Sequence, residues 1–342
     1  MKFYCDHRDI EFNLFESLKI QNGMPNTEYA EMGIEDYKQI LQEIIKFCEN
    51  EIYPTRQIGD HEGVKLTGQG VIAPSSFHNV NRAYYANGWF GLGLSSSFNG
   101  NPVPEAFYTA CISLSTAANV AWSMYPGLSR AAFNIIYSVA TEELKQKILP
   151  HIASGDWGGT MCLTEANAGS DVGALKTMAT RQSDGTYLLK GNKIFISSGE
   201  SDLYKNNIHL VLARTPNAPE GVKGLTLFIV PRFKFEGGSQ SNDVHCKKIE
   251  EKMGLHGSAT CEMVFGENNQ CSGYLLGEEG QGMANMFMMM NEARLMCGIQ
   301  GESQANFVFE LAKRYADERI QFDRPISEHA DVKRMLLKMR AP

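Results

Sequence analysis

Between Cys162 and Gly173 the chain reads Cys-Leu-Thr-Glu-Ala-Asn-Ala-Gly-Ser-Asp-Val-Gly, with two hydroxyls, two carboxylates and two glycines in twelve residues. Glycines let a backbone approach a ligand closely, and successive N–H groups flanked by hydroxyls suit an anion such as a diphosphate. The stretch follows the apolar, strand-like Gly159-Thr160-Met161, and on composition alone it reads as a polar loop leaving a strand. A second group is Phe195-Ile196-Ser197, where an aromatic ring and a hydroxyl alternate within K-I-F-I-S-S-G. As a plain amphipathic strand it would turn Phe195 inward. A third is Asn291-Glu292-Ala293-Arg294, whose Glu and Arg alone make a helix-surface pair contributing a few tenths of a kcal/mol.

Other chemistries find little support. The eight cysteines include no C-x-x-C and no zinc-finger spacing, so they read as buried, reduced and inert, and no metal site is expected. His245-Cys246 reads as an incidental neighbour pair. The G-x-G within Gly88–Gly93 follows no strand and has no third glycine at the dinucleotide spacing, and a hydrolase's G-x-S-x-G elbow is missing. A net charge of −7 without a dominant Lys/Arg cluster argues against nucleic acid. No run approaches the roughly 18 apolar residues of a membrane span, and the start carries no targeting pattern, so a cytoplasmic location is expected.

The elements that would position these groups change grammar along the chain. Residues 1–33 read as a strap with one apolar cluster, Phe12, Leu14 and Phe15. Ile40, Leu41, Ile44, Cys48 and Ile52 recur at helical spacing until Pro54. Residues 104–140 predict two buried helices broken near Pro126-Gly127, and Thr141-Glu142-Glu143 caps another that Gly155 closes. After Gly158 the period becomes two, predicting strands at 187–197, 208–213, 225–230 and 261–265. At Gly282 the helical period returns through Met283, Met286, Phe287 and Met290, the methionines read as core, and a further helix ends near Ile320. Residues 327–342 resemble the opening turns of one more helix. The predicted fold class is α+β, with an extension (1–33), a helical N-terminal domain (34–157), a small barrel-like β-domain (158–275) and the start of a C-terminal helical bundle (276–342).

The motif C-L-T-E-A-N-A-G-S-D resembles the flavin-site signature of the acyl-CoA dehydrogenases, and the similarity runs from about Gly88 to Arg334. Supporting stretches are G-W-F-G-L, F-N-G-N-P-V-P (with Asn101 at a usual glycine) and T-E-E-L-K-Q-K-I-L-P-H-I-A-S-G-D-W. The extension D-x-R-D-x-x-F-x-L-F-E is similar to a larger bacterial subgroup that includes 3-methylmercaptopropionyl-CoA and some long-chain enzymes. The resemblance implies FAD. It places the Thr164 hydroxyl on the flavin edge near N5, backbone groups of Cys162 and Leu163 beside it, and Ser170 near the diphosphate and the CoA moiety. Phe195, Ile196 and Ser197 match the family's K-x-W-I-T-N-G wall, with Phe for Trp and Ser for Thr. Asn291 and Arg294 match the substrate side, Arg294 approaching CoA. Arg319 and Gln321 match R-x-T-F, with Gln for Thr, whose arginine reaches the flavin diphosphate of a neighbouring subunit.

This implies dehydrogenation of an acyl-CoA thioester to the 2-enoyl-CoA, with electron-transfer flavoprotein as acceptor and a homodimer or homotetramer. The base in most of the family lies beyond position 342, so the chain is expected to be a fragment or a short relative that lacks it. A minority carry the base at the position of Ala293 here. One residue turns a helical side chain by about 100°, which directs Glu292 elsewhere and leaves it a poor candidate. Two alternatives remain: an oxidase that uses oxygen, or a non-catalytic flavin or acyl-CoA scaffold if the chain is complete.

Overall fold

The structure, a computed structural model, describes residues 3–25, 27–98, 100–236 and 238–340. The chain opens with α1 (His7–Glu11), capped by the Asp6 carboxylate, and a π-helical turn at Phe12–Ser17. In α2 (Ile34–Phe47), Tyr37, Leu41, Ile44 and Phe47 recur every three or four residues and form the buried face. The Asp36 carboxylate accepts from the Gly33 amide at its start, and a π turn at Cys48–Ile52 ends the run. Then come α3 (Thr55–Glu62), the hairpin β1 (Lys65–Thr67) and β2 (Gly70–Ile72), and α4 (Ser75–Ala86).

The pair α5 (Glu105–Ala118) and α6 (Val120–Val139) corrects the sequence reading. The break falls at Asn119, in extended backbone, and Pro126 lies inside α6. Proline forfeits one amide bond to the preceding turn. Here Pro126 is buried beside Trp122 and Tyr125, both fully buried, so packing outweighs the lost bond. The Thr141 hydroxyl caps α7 (Glu142–Ala153), and Gly155, at φ +77°, lets the chain reverse into the sheet.

The strands are β3 (Trp157–Cys162), β4 (Met178–Arg181), β5 (Tyr187–Ser197), β6 (Asn206–Arg214) and β7 (Leu225–Pro231). They continue with β8 (Val244–Ile249), β9 (Thr260–Phe265) and β10 (Ser272–Leu275). β10 pairs with both β7 and β5, closing a ring through β6 and β4; β9 and β8 extend it from β5, and β3 lies parallel on β6. The ring is the expected barrel-like core. Residues 206–213 of β6 and all of β7 are buried, as suits strands covered on both faces.

In place of two helices after Gly282, the structure has one, α8 (Gly282–Glu318), of 37 residues. Gly298 and Gly301 lie within it at negative φ, so neither terminates it. Of the methionines read as core Met286 is buried, as is Met289, while Phe287 is exposed. The hairpin β11 (Ile320–Gln321) and β12 (Arg324–Pro325) turns on Phe322 and Asp323, both at positive φ, before α9 (Ala330–Arg340). The chain divides into a helical unit, Met1–Pro54 with Pro102–Val120 and Cys297–Pro342, and a barrel unit, Thr55–Asn101 with Ala121–Met296. In the helical unit Phe3 stacks on Phe307, and the Arg314 guanidinium lies 4.0 Å from the Tyr4 ring centre. No described helix is long and apolar enough to cross a membrane.

Candidate functional site

β3 delivers the 162–171 loop at the carboxyl end of a parallel strand. Its approach is set by small residues: a Cβ at Gly159 would meet the Ala132 Cβ of α6 at 2.4 Å. The Ser129 hydroxyl of α6 accepts from the Gly159 amide at 3.1 Å. Cys162 and Leu163 are buried, and Thr164 is the first residue to reach the surface. The loop then closes on itself through paired hydrogen bonds between Glu165 and Ala168 backbone groups.

β5 supplies the facing segment. Tyr187, Leu189 and Lys193 point inward on alternate positions, which would send Phe195 inward as well. Instead the register against β9 slips between Lys193 and Ile196. This bulge reverses the phase, burying Ile196 and leaving Phe195 60% exposed. Phe195 takes φ +59° and Ser198 φ +52°, left-handed values that cost a non-glycine residue about 1–2 kcal/mol. The surrounding structure holds both nonetheless, and such stored strain concentrates where ligands bind.

The two segments are joined directly. The Ile194 amide donates to the Thr164 carbonyl at 2.9 Å, and the Lys193 ammonium donates to the Leu163 carbonyl at 2.9 Å. An exposed aromatic face therefore stands beside the mouth of the loop. Among the described residues the Thr164, Ser170 and Ser197 hydroxyls and the Thr164 amide have no partner. A Cβ on Gly169 would meet only the Thr164 methyl, at 3.8 Å, so the protein leaves that space open. An exposed ring, unused donors and an unfilled glycine suit a flat, apolar ligand with a hydrogen-bonding edge.

Lys193 and Glu165 had not been singled out. Lys193 is fully buried, and its ammonium lies 2.9 Å from the Glu165 carboxylate. Glu165 also accepts from the Lys176 amide (2.7 Å), the Thr177 amide (3.0 Å) and the Thr177 hydroxyl (2.6 Å). Burial holds the Lys193 ammonium below its ordinary range, against the attraction of Glu165. Burial would raise the Glu165 carboxyl; Lys193 and these donors together bring it below the ordinary value. The available signal was a lysine at an inward position of an alternating strand.

Asn291, Glu292 and Arg294 lie on α8 in the same unit. Arg294 is exposed, donates to the Asn291 side chain at 3.0 Å and covers the Phe287 ring at 5.4 Å. The Glu292 carboxylate accepts from the Asn134 side chain of α6 at 2.9 Å. Arg319 and Gln321 belong to the helical unit, at the start of the β11–β12 hairpin, and both are exposed.

Three family models match in order: the acyl-CoA dehydrogenase N-terminal domain over residues 34–156, the middle domain over 160–267 and the C-terminal domain over 280–342. The chain is 30% identical to the short-chain-specific acyl-CoA dehydrogenase of Megasphaera elsdenii, over 88% of this chain and 75% of that protein. The chain belongs to the acyl-CoA dehydrogenase family. Within the family it is 38% identical to the 3-methylmercaptopropionyl-CoA dehydrogenase of Ruegeria pomeroyi, over 100% of this chain. It spans about 60% of that relative's length. A chain from the solved structure of the electron transferring flavoprotein of Acidaminococcus fermentans, a study of flavin-based electron bifurcation, matches with a TM-score of 0.74 and 27% identity. That match covers 90% of this chain and 74% of the other. In this acyl-CoA dehydrogenase family member, the two junction hydrogen bonds lie inside the middle-domain match.

Proposed function

We propose that the loop at 162–171 and the bulge at 195–197 form the binding site for the isoalloxazine of FAD, in a protein that dehydrogenates an acyl-CoA thioester between Cα and Cβ. The observation that carries this reading is Phe195, held exposed in left-handed backbone beside the unpartnered Thr164 and Ser197 hydroxyls. Its ring would wall one face of the flavin, with Ile196 packed behind the strand. Thr164, Ser197 and backbone groups of Cys162 and Leu163 would hold the polar edge. Ser170, exposed on the outer part of the loop, is assigned to the diphosphate and the CoA moiety. Bound FAD would supply the hydride acceptor for Cβ.

Arg294, held along α8 by Asn291 and Phe287, suits the CoA phosphates and adenine, because a guanidinium both pairs with anions and stacks on rings. Glu292 is given no part in removing the α-proton, since its carboxylate is engaged by Asn134. We assign Arg319 and Gln321 to the flavin diphosphate of a second copy, which makes the active form a homo-oligomer. The acceptor proposed is an electron-transfer flavoprotein, in keeping with family membership.

The test is equilibrium binding of FAD to the purified chain, read by absorbance near 450 nm after gel filtration and by release of flavin on heating. Stoichiometric, non-covalent FAD is expected. Protein that is isolated without flavin and takes up none when it is added would overturn the reading.

A further inference from the structure

Lys193 is the most deeply buried cation that touches the candidate site, and the flavin assignment gives it no task. Its ammonium donates to two acceptors that both belong to the loop leaving β3: the Leu163 carbonyl and the Glu165 carboxylate, each at 2.9 Å. Removing an ammonium and a carboxylate from water is costly, and an apolar pair of similar volume commonly does as well for stability. The arrangement therefore calls for an explanation other than net stability.

Geometry supplies one. In a trans peptide the carbonyl and the following amide point in opposite directions. With the Leu163 carbonyl drawn inward to a fully buried ammonium, the Thr164 amide must point away from it, towards the open side of the loop. That amide has no partner among the described residues. The Thr164 carbonyl is fixed in turn by the Ile194 amide at 2.9 Å, so both peptides flanking Thr164 are tied to consecutive residues of β5. The residue after Ile194 is Phe195, at the bulge. Hydrogen bonding to a cation also polarises the Leu163–Thr164 peptide and makes its N–H a stronger donor.

We infer that Lys193 is a positioning residue for the flavin site. It orients the Leu163–Thr164 peptide so that the Thr164 amide and hydroxyl face the flavin edge at a fixed distance from the Phe195 wall. Glu165 holds the ammonium in place and is itself held by Lys176 and Thr177. The inference rests on the FAD reading and names the residue that arranges that site.

The experiment compares the full chain with Glu165→Gln and with the double variant Lys193→Met/Glu165→Gln. For each, the FAD dissociation constant is measured by fluorescence quenching, together with the visible spectrum of the bound flavin and the melting temperature without FAD. Replacing both partners avoids stranding a buried charge, so the double variant should melt within a few degrees of the parent. Its dissociation constant should rise at least tenfold, and the fine structure of its 450-nm band should be lost. Glu165→Gln removes the charge that holds the ammonium against the Leu163 carbonyl, and its dissociation constant should rise at least threefold. Parental affinity and spectrum in a folded double variant overturn the inference. So does a parental dissociation constant in Glu165→Gln, a result that stands even if the double variant does not fold. If the unmodified chain itself takes up no FAD, the functional reading fails and this inference falls with it; unchanged variants of a flavin-binding parent overturn the inference alone.

Discussion

Phe195 concentrates the opposing demands on this site. Its left-handed backbone is unfavourable for a phenylalanine, and its ring covers little of the protein. Phe195→Gly should therefore raise the stability of the flavin-free chain by about 1 kcal/mol. The same change should weaken FAD binding, because the wall is lost, whereas Phe195→Trp should preserve it. Urea denaturation and flavin titration read the two effects separately, and a loss of stability in Phe195→Gly would show that the strain argument is wrong. A second residue sets acid sensitivity. His209, fully buried on β6 and hydrogen bonded to the Thr160 side chain at 2.8 Å, is pushed down from 6.5 to about 3 by burial, with Arg232 adding to the effect. The unfolded chain takes the proton first, so this stability is present above pH 6.5 and is lost as pH falls towards 3. One such group contributes a slope of about 1.4 kcal/mol per pH unit. His209→Gln should flatten the fall in unfolding free energy between pH 6 and pH 4 by roughly that slope, measured by urea titration at each pH.

At the scale of elements, β3 is the part that positions the loop, and the glycines of the strand and of the loop do different work. Gly159 is where α6 and the strand touch. An added methyl would meet Ala132 at 2.4 Å, so Gly159→Ala should destabilise the chain by about 1–3 kcal/mol through overpacking. Gly169 borders only the Thr164 methyl at 3.8 Å, and Gly169→Ala should leave the melting temperature of the flavin-free protein unchanged. Because that space is assigned to FAD, the same variant should lose flavin affinity. Thermal melts with and without FAD check both. Equal destabilisation by the two substitutions would mean that the space beside Gly169 belongs to the fold. The facing strand, β5, shows what could be read in advance. The run at 187–197 was legible as a strand to its last residue, but the bulge was not. A phase reversal depends on how β9 pairs with β5, which local alternation does not record.

At the scale of the whole chain, the helical unit is assembled from three separated segments. Its N-terminal segment contributes Phe3, buried against Phe307 and Tyr53, and Asp6 and Asp9, each within 3.7 Å of Arg340. The ion pairs are half-exposed and contribute little. The ring carries the attachment, so Phe3→Ala should cost about 3 kcal/mol. Hydrogen exchange should then rise first in residues around 300–318 of α8. Unchanged protection there would assign the attachment to other contacts.

The order of helices and strands, the switch from period 3.6 to period two at Gly158, and the family signature are all local properties, and the sequence by itself determined them. Caps such as Thr141 and Gly155 were readable for the same reason, since a cap acts within four residues. Three matters needed the tertiary structure. Pro126 stays helical in a segment of α6 whose Trp122 and Tyr125 are fully buried, and Asn119 takes the break instead. α8 continues through Gly298 and Gly301 because glycine permits a turn without compelling one. The pairing of Lys193 with Leu163 and Glu165 joins residues 28 and 30 positions apart. No periodicity reports such a partner, because β3 pairs with β6 and the β5 bulge with β9, and only the tertiary arrangement of these strands brings the end of β3 against that bulge.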